Sequence, residues 1–209
     1  MRKTISILGS TGSIGLNTLK IIKKKKKLFK VNLLVADKNL KLICKQINEF
    51  KPKIFIINNL RVYEKIKHKY KKKQINIFNS FNFKKDLLKK SDITIAAIPG
   101  IAGLNPTLKA IEKSKKILIA NKESIICGWE LIKKTSKKNK TQIVPIDSEH
   151  FSIMKLLENH EINSIKKIYL TASGGPFLNY SLSKLNKINP KEAIKHPKWK
   201  MGKKISIDS

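Results

Sequence analysis

The chain has 209 residues, 41% of them hydrophobic and 29% charged, enough for one ordinary domain and part of a second, and this excludes a disordered chain. Its longest apolar runs, such as Ile117 to Ala120 and Ile93 to Pro99, fall far short of the roughly 20 residues a membrane helix needs, so no membrane association is expected. The formal charge of +32 rests almost wholly on Lys, Arg occurring only at Arg2 and Arg61, and no basic stretch is interleaved with aromatics as a stacking platform requires; the bias reads as AT-rich codon usage, and nucleic acid is not expected as a partner.

The first strand is predicted at Ile5 to Leu8, close enough to Met1 that no leader peptide is expected. Gly9-Ser10-Thr11-Gly12-Ser13-Ile14-Gly15 follows it and opens the first helix. This is the context in which glycines let a pyrophosphate approach a helix N-terminus, although a turn that merely packs strand on helix would read the same. The Lys23 to Lys27 run closes that helix, where cations suit the negative end, and reads as a solvated face.

Further strands are predicted at Val31 to Ala36, Ile54 to Ile57, Ile75 to Phe78, Ile93 to Ala97, Lys116 to Ala120 and Gln142 to Val144, separated by segments of helical length. Short β-branched runs alternating with helices imply a doubly wound α/β domain with a parallel sheet. The second strand ends at Ala36-Asp37-Lys38-Asn39, where such folds read the adenosine ribose. Lys38 suits a 2′-phosphate and Asp37 a 2′-hydroxyl, so the two residues point in opposite directions. Cys44 and Cys127 have neither CxxC spacing nor a secretory context and fit reduced thiols of a cytoplasmic protein.

Asn121-Lys122-Glu123-Ser124 lies just past the sixth strand, at the edge where ligands of open α/β sheets bind. Lys122 could hold an anionic substrate, and Glu123 could equally serve only the following helix dipole. Among 14 acidic residues, Asp147 and Glu149 fall two apart at the end of the seventh strand, a spacing that sends both side chains to one face. Two carboxylates can hold Mg²⁺ or Mn²⁺, and they can also be surface charge or caps. His68, His150 and His160 show no paired ligand spacing.

From about residue 146 the texture changes to a short helix, a predicted strand over Ile165 to Thr171 and a Ser173-Gly174-Gly175 turn. That turn is either an anion-binding nest or plain chain reversal. His196-Pro197-Lys198-Trp199 offers an imidazole and an indole in a loop, a ligand lid or a core-closing Trp. The last residues, Ile205 to Ser209, resemble a strand cut at its end, so a second, incomplete α+β domain is expected over 146–209 after a first over 1–145.

Taken together, ILGSTGSIG (Ile7 to Gly15), NKES (Asn121 to Ser124), DSEH (Asp147 to His150), SGGPF (Ser173 to Phe177) and HPKWKMGKKISIDS (His196 to Ser209) resemble the 1-deoxy-D-xylulose 5-phosphate reductoisomerase family in order and spacing, from end to end of the chain. The resemblance implies a Rossmann-type NADPH-binding domain over 1–145 and the start of a catalytic domain over 146–209. It also implies conversion of 1-deoxy-D-xylulose 5-phosphate to 2-C-methyl-D-erythritol 4-phosphate, in the non-mevalonate route to isoprenoid precursors. It places Thr11, Gly12, Ser13, Ile14, Lys38, Asn39, Asn121, Glu123 and Gly202 around NADPH, with Asp37 where the family usually has a small residue. Asp147 and Glu149 become ligands of Mg²⁺ or Mn²⁺. Lys122, Ser148, Glu149, Ser173, His196 and Ser209 become substrate contacts, with Lys122, Glu149 and His196 nearest the chemistry and Trp199 and Met201 on a closing loop. The family is homodimeric, and it continues past the final Ser with residues that complete the phosphate site and metal shell. The competing expectation is a non-catalytic nucleotide-binding or basic interaction module.

Overall fold

A computed structural model describes residues 1–171, 174–197 and 206–207, the side chain of Lys85 excepted. Its contacts group the chain into two compact units, Met1–Glu158 and Asn159–Ser209.

The first unit holds seven strands: β1 (Lys3–Leu8), β2 (Phe29–Ala36), β3 (Ile54–Ile57), β4 (Asn76–Phe78), β5 (Ser91–Ala96), β6 (Ser114–Ile119) and β7 (Gln142–Pro145). They form one sheet in the order β4-β3-β2-β1-β5-β6-β7, and every pairing is parallel. Helices α1 (Ser13–Lys24), α2 (Leu40–Phe50), α3 (Leu60–Lys69), α4 (Leu104–Ile111), α5 (Lys122–Asn139) and α6 (Ser148–Leu157) make up the rest of its longer elements.

Alternation along the strands sends side chains to opposite faces, and both faces are buried. Ile5, Ile7, Leu34, Phe55 and Ile57 pack with Leu19 and Ile22 of α1, Ile43 and Ile47 of α2 and Ile66 of α3. Leu8, Leu33, Val35, Ile54 and Ile56 pack with Ala110 and Ile111 of α4 and Ile132 of α5. A parallel sheet covered on both sides needs this near-continuous run of apolar strand residues, which is why the sequence pattern identified all seven strands. Fully burying one such side chain contributes about 1.5–3 kcal/mol. The lysines at 23–27 are exposed, as a solvated face requires.

Two features carry the fold into the site. The chain runs outward from β1 to β4 and then returns to place β5 on the other side of β1, so strand order reverses between β1 and β5. The crevice outside the carboxyl ends of that strand pair is where ligands of open α/β sheets bind. In addition, α5 is bent at Gly128 (φ −136°, ψ 22°), where a Cβ would overlap the Leu104 side chain of α4.

The second unit contains a 3₁₀ turn at Ile162–Ser164 and two short helices, α7 (Leu182–Leu185) and α8 (Pro190–Ala193). Helix α8 starts with a capping box in which Asn189 accepts from the Glu192 N–H and the Glu192 carboxylate accepts from the Asn189 N–H. Phe177 and Tyr180 meet edge to face at 5.3 Å. The strand expected over Ile165 to Thr171 does not form among the described residues, and Ile168, Tyr169 and Leu170 are exposed. The segment has strand composition, but a strand exists only with a partner to share its ladder, and the described residues supply none.

Candidate functional site

The Gly9 turn is shaped by contacts that glycine alone permits. Gly9 has φ +82°, and a Cβ there would overlap the Ala97 carbonyl at the end of β5; a Cβ on Gly15 would overlap the backbone of Gly9 and Ser10. The N–H groups of Gly9 and Ser10 both donate to the Val35 carbonyl of β2, at 3.0 and 2.8 Å. The turn is thereby pinned between β2 and β5, directly over the strand-order reversal.

A buried polar pair fixes the turn from the side. The Ser10 hydroxyl donates to Gln46 Oε1 at 2.7 Å, and Gln46 Nε2 donates back to the Ser10 carbonyl at 2.8 Å. Ser10 is fully buried and Gln46 is 3% exposed. Sequence reasoning missed this pair, because a Gln on a helix 36 residues away carries no local mark of its partner.

Beside the turn lies a cleft of about 220 Å³ whose walls include Thr11, Gly12, Asp37, Asn58, Ile98 and Pro99. Helix α1 opens at this cleft on Gly12 with no side-chain cap, whereas Asn39, Asn59, Asn121 and Asp147 each cap the helix that follows them. An uncapped helix start bordered by glycine suits an anion such as a pyrophosphate. Ser13 and Ile14, in the first turn of α1, are exposed. Asp37 and Lys38 are exposed at the end of β2, and the Asn39 side chain accepts from the Leu42 N–H at 3.1 Å as the cap of α2. Asn58 is a wall residue that sequence reasoning did not single out; its position just past β3, at the same sheet edge, was the available signal.

The second cluster follows β6 and β7 at this carboxyl edge. Lys122, the first residue of α5, lies 3.6 Å from a carboxylate oxygen of Glu149, whose other oxygen accepts from the Ser148 hydroxyl at 3.0 Å. The Glu149 backbone N–H, then the Ser148 hydroxyl and the Lys122 ammonium, hold the Glu149 carboxyl below its ordinary value against the opposing effect of burial. Asp147 accepts from the His150 N–H at 3.3 Å, and its carboxylate meets His150 Nδ1 at 2.5 Å. His150, which shows no paired ligand spacing in the sequence, is thus part of the carboxylate cluster.

The carboxylate spacing has a different basis from the one expected. Strand β7 ends at Pro145, and Asp147 and Glu149 stand at the N-cap and in the first turn of α6, so helix-start geometry and not strand alternation places them. Asp147 turns inward to cap the helix, and Glu149 reaches the Lys122 ammonium on α5. Among the described residues no group of three His, Cys, Asp or Glu gathers as a metal site. The donor set is two hard carboxylate oxygen donors, which suits Mg²⁺ or Mn²⁺ with the rest of the shell supplied from elsewhere.

Glu123 is half-buried and engaged in an interaction of its own. Asn121 is buried. In the second unit, His196 is half-buried and also engaged, and Gly174 and Gly175 have φ of +78° and +65°. Ser173, Trp199, Met201, Gly202 and Ser209 lie outside the described residues.

Comparison with known proteins matches residues 5–128 to the family model "1-deoxy-D-xylulose 5-phosphate reductoisomerase" and residues 143–209 to that of its C-terminal domain. A reductoisomerase of Pelagibacter ubique is 52% identical over 99% of this chain. The Zymomonas mobilis enzyme, solved in complex with NADPH, superimposes over 100% of the chain with a TM-score of 0.86 and 33% identity. A reductoisomerase complex with NADPH, fosmidomycin and magnesium superimposes over 99% with a TM-score of 0.84 and 35% identity. The chain spans about half the length of these relatives, 54% in each case. No helix among the described residues is long and apolar enough to cross a membrane.

Proposed function

Since the chain belongs to the 1-deoxy-D-xylulose 5-phosphate reductoisomerase family, we propose that it acts as the NADPH-binding and metal-binding part of that enzyme, converting 1-deoxy-D-xylulose 5-phosphate to 2-C-methyl-D-erythritol 4-phosphate. The observation that carries this reading is the union, on one sheet edge, of a glycine turn packed onto the β1/β5 reversal and a Lys122–Glu149–Asp147 cluster.

Residues 1–145 bind the dinucleotide in this reading, and residues 146–209 begin the catalytic domain. Thr11, Gly12, Ser13 and Ile14 receive the pyrophosphate at the start of α1, and Lys38 answers the 2′-phosphate, with Asp37 beside it tempering the preference for NADPH over NADH. Asp147 and Glu149 hold Mg²⁺ or Mn²⁺, and the depressed Glu149 carboxyl is ionised and ready to do so at neutral pH. When bound, NADPH supplies a hydride and the cation draws electron density from the substrate's ketone and hydroxyl oxygens. Lys122 orients the phosphorylated sugar and neutralises charge near Glu149. Ser148, Ser173, His196 and Ser209 complete the substrate contacts, and Gly202 completes the cofactor's. The whole protein is a cytoplasmic homodimer in this reading, supported by the family resemblance.

The test has two parts. The chain should bind NADPH saturably, measured by cofactor fluorescence, and Gly15→Ala should abolish binding because the new methyl group displaces the turn. In the full-length protein, with substrate and Mg²⁺ or Mn²⁺ present, NADPH should be consumed. Binding without metal-dependent consumption would favour the non-catalytic nucleotide-binding module, and no binding would refute both.

A further inference from the structure

The resemblance places Asn121 around the cofactor, yet the geometry gives its side chain a different task. Its amide nitrogen donates to the carbonyls of Ile98 and Gly100, the latter at 2.8 Å, and its amide oxygen accepts from the Ser124 N–H at 3.0 Å. A primary amide has two N–H donors, and both are used here. Asn121 is 4% exposed, so nothing of the amide is left to donate to a bound molecule.

What the amide holds is the loop after β5. Ile98 and Pro99 of that loop form a wall of the cleft. Gly100 has φ 70° and ψ −173°, a backbone state open essentially to glycine, and its carbonyl accepts from the Gly103 N–H at 3.1 Å as well as from the Asn121 amide. The loop closes so tightly on Asn121 that a Cβ on Gly103 would overlap both the amide and the Ile98 carbonyl. One side chain therefore ties the loop after β5 to the first turn of α5, across the gap between neighbouring strands.

The place of this tie decides which part of a dinucleotide feels it. In the NADPH reading the end of β2 faces the adenosine ribose and the Gly9 turn the pyrophosphate, so the remaining half of the cofactor would extend past the β1/β5 reversal toward the loop after β5, part of the cleft wall. We propose that Asn121 is a positioning residue, whose amide sets the 98–103 loop as the wall against which the nicotinamide half of the cofactor rests. The proposal deepens the NADPH reading given above and rests on it.

The test compares two probes on the 209-residue chain: NADPH, and 2′,5′-ADP, which carries the adenosine half alone. Asn121→Asp keeps the shape but presents a carboxylate to two carbonyls, and Gly103→Ala disturbs the same contact from the opposite side. For both variants we expect the NADPH dissociation constant to rise about tenfold, the scale of one to two lost hydrogen bonds, while that of 2′,5′-ADP changes less than about twofold. Equal weakening of both probes would overturn the proposal, since a general loss of structure does not choose between halves. Unchanged NADPH binding in either folded variant would overturn it as well. Should Asn121→Asp fail to fold, Gly103→Ala carries the test alone. Failure of the wild-type chain to bind either probe would instead overturn the NADPH reading, and this inference with it.

Discussion

Replacing Gln46 by Met keeps the length and nearly the volume of the side chain but removes its amide. The Ser10 hydroxyl then loses its acceptor and the Ser10 carbonyl its donor, both in a position with no exposure. An orphaned buried polar group costs about 1–3 kcal/mol, and Met returns some apolar burial, so the net loss should be about 2–4 kcal/mol. In a chain of this size each kcal/mol lowers the melting temperature by about 2–4 °C. A double-mutant cycle isolates the pair: Ser10→Ala in the Gln46→Met background removes the orphaned hydroxyl, and the double variant should be no less stable than Gln46→Met alone. Urea unfolding followed by circular dichroism measures all four proteins. Strictly additive losses, or a Gln46→Met cost below about 0.5 kcal/mol, would refute the claim that this pair pins the turn. NADPH titration of the same variants should show weaker binding, because Ser10 lies between the glycines that shape the cleft.

Asp92 is held far below the ordinary carboxylate range, first by Lys115 and then by the Thr4 N–H and hydroxyl. Its folded pKa is depressed, so the stabilisation is present above about pH 4 and is lost progressively as pH falls below that value. Asp92→Asn should cost on the order of 1 kcal/mol at neutral pH, discounted for the exposed Lys115, and flatten the acid limb of a pH-stability curve; an unchanged limb would count against this role. The Ser124 hydroxyl is buried with no hydrogen-bond partner among the described residues, so Ser124→Ala should be neutral or stabilise by about 1 kcal/mol in urea, and a clear loss would reveal an acceptor. Lys140 ends α5 with φ 53°, a left-handed conformation that costs a side-chain residue about 1 kcal/mol, and Lys140→Gly should raise the melting temperature by a few degrees.

The seven strands of the sheet were legible because each is a run of apolar, mostly β-branched residues, a pattern needing no partner to be recognised. Ile165 to Thr171 carries the same pattern and is no strand among the described residues, since pairing is a relation between segments and not a property of one. The glycine turn and the Asp147–Glu149 pair were visible as local spacings. What the spacing could not convey was which element places the carboxylates: Asp147 acts as a helix cap, and both face charges brought in from elsewhere in the chain or the turn. Ser10–Gln46 and Asn121–Ile98 join residues 36 and 23 positions apart, and such ties have no signature in composition or period.

The left-handed helix ends also bear on how the chain accommodates its lysine-rich make-up. At Lys51 and Lys140 the backbone adopts a conformation suited to glycine, yet lysine occupies both, for these sites demand only a torsion angle and leave room for a side chain. At Gly9, Gly15, Gly103 and Gly128 the obstacle is solid matter: a carbonyl, a turn, an amide or a neighbouring leucine already fills the space a β-carbon would take. A protein can absorb a compositional bias wherever the penalty is a modest torsional one. It cannot do so where two segments already touch, and here three of those four contacts lie at the turn and loop beside the candidate cleft, so the shape of the site is guarded by the absence of atoms.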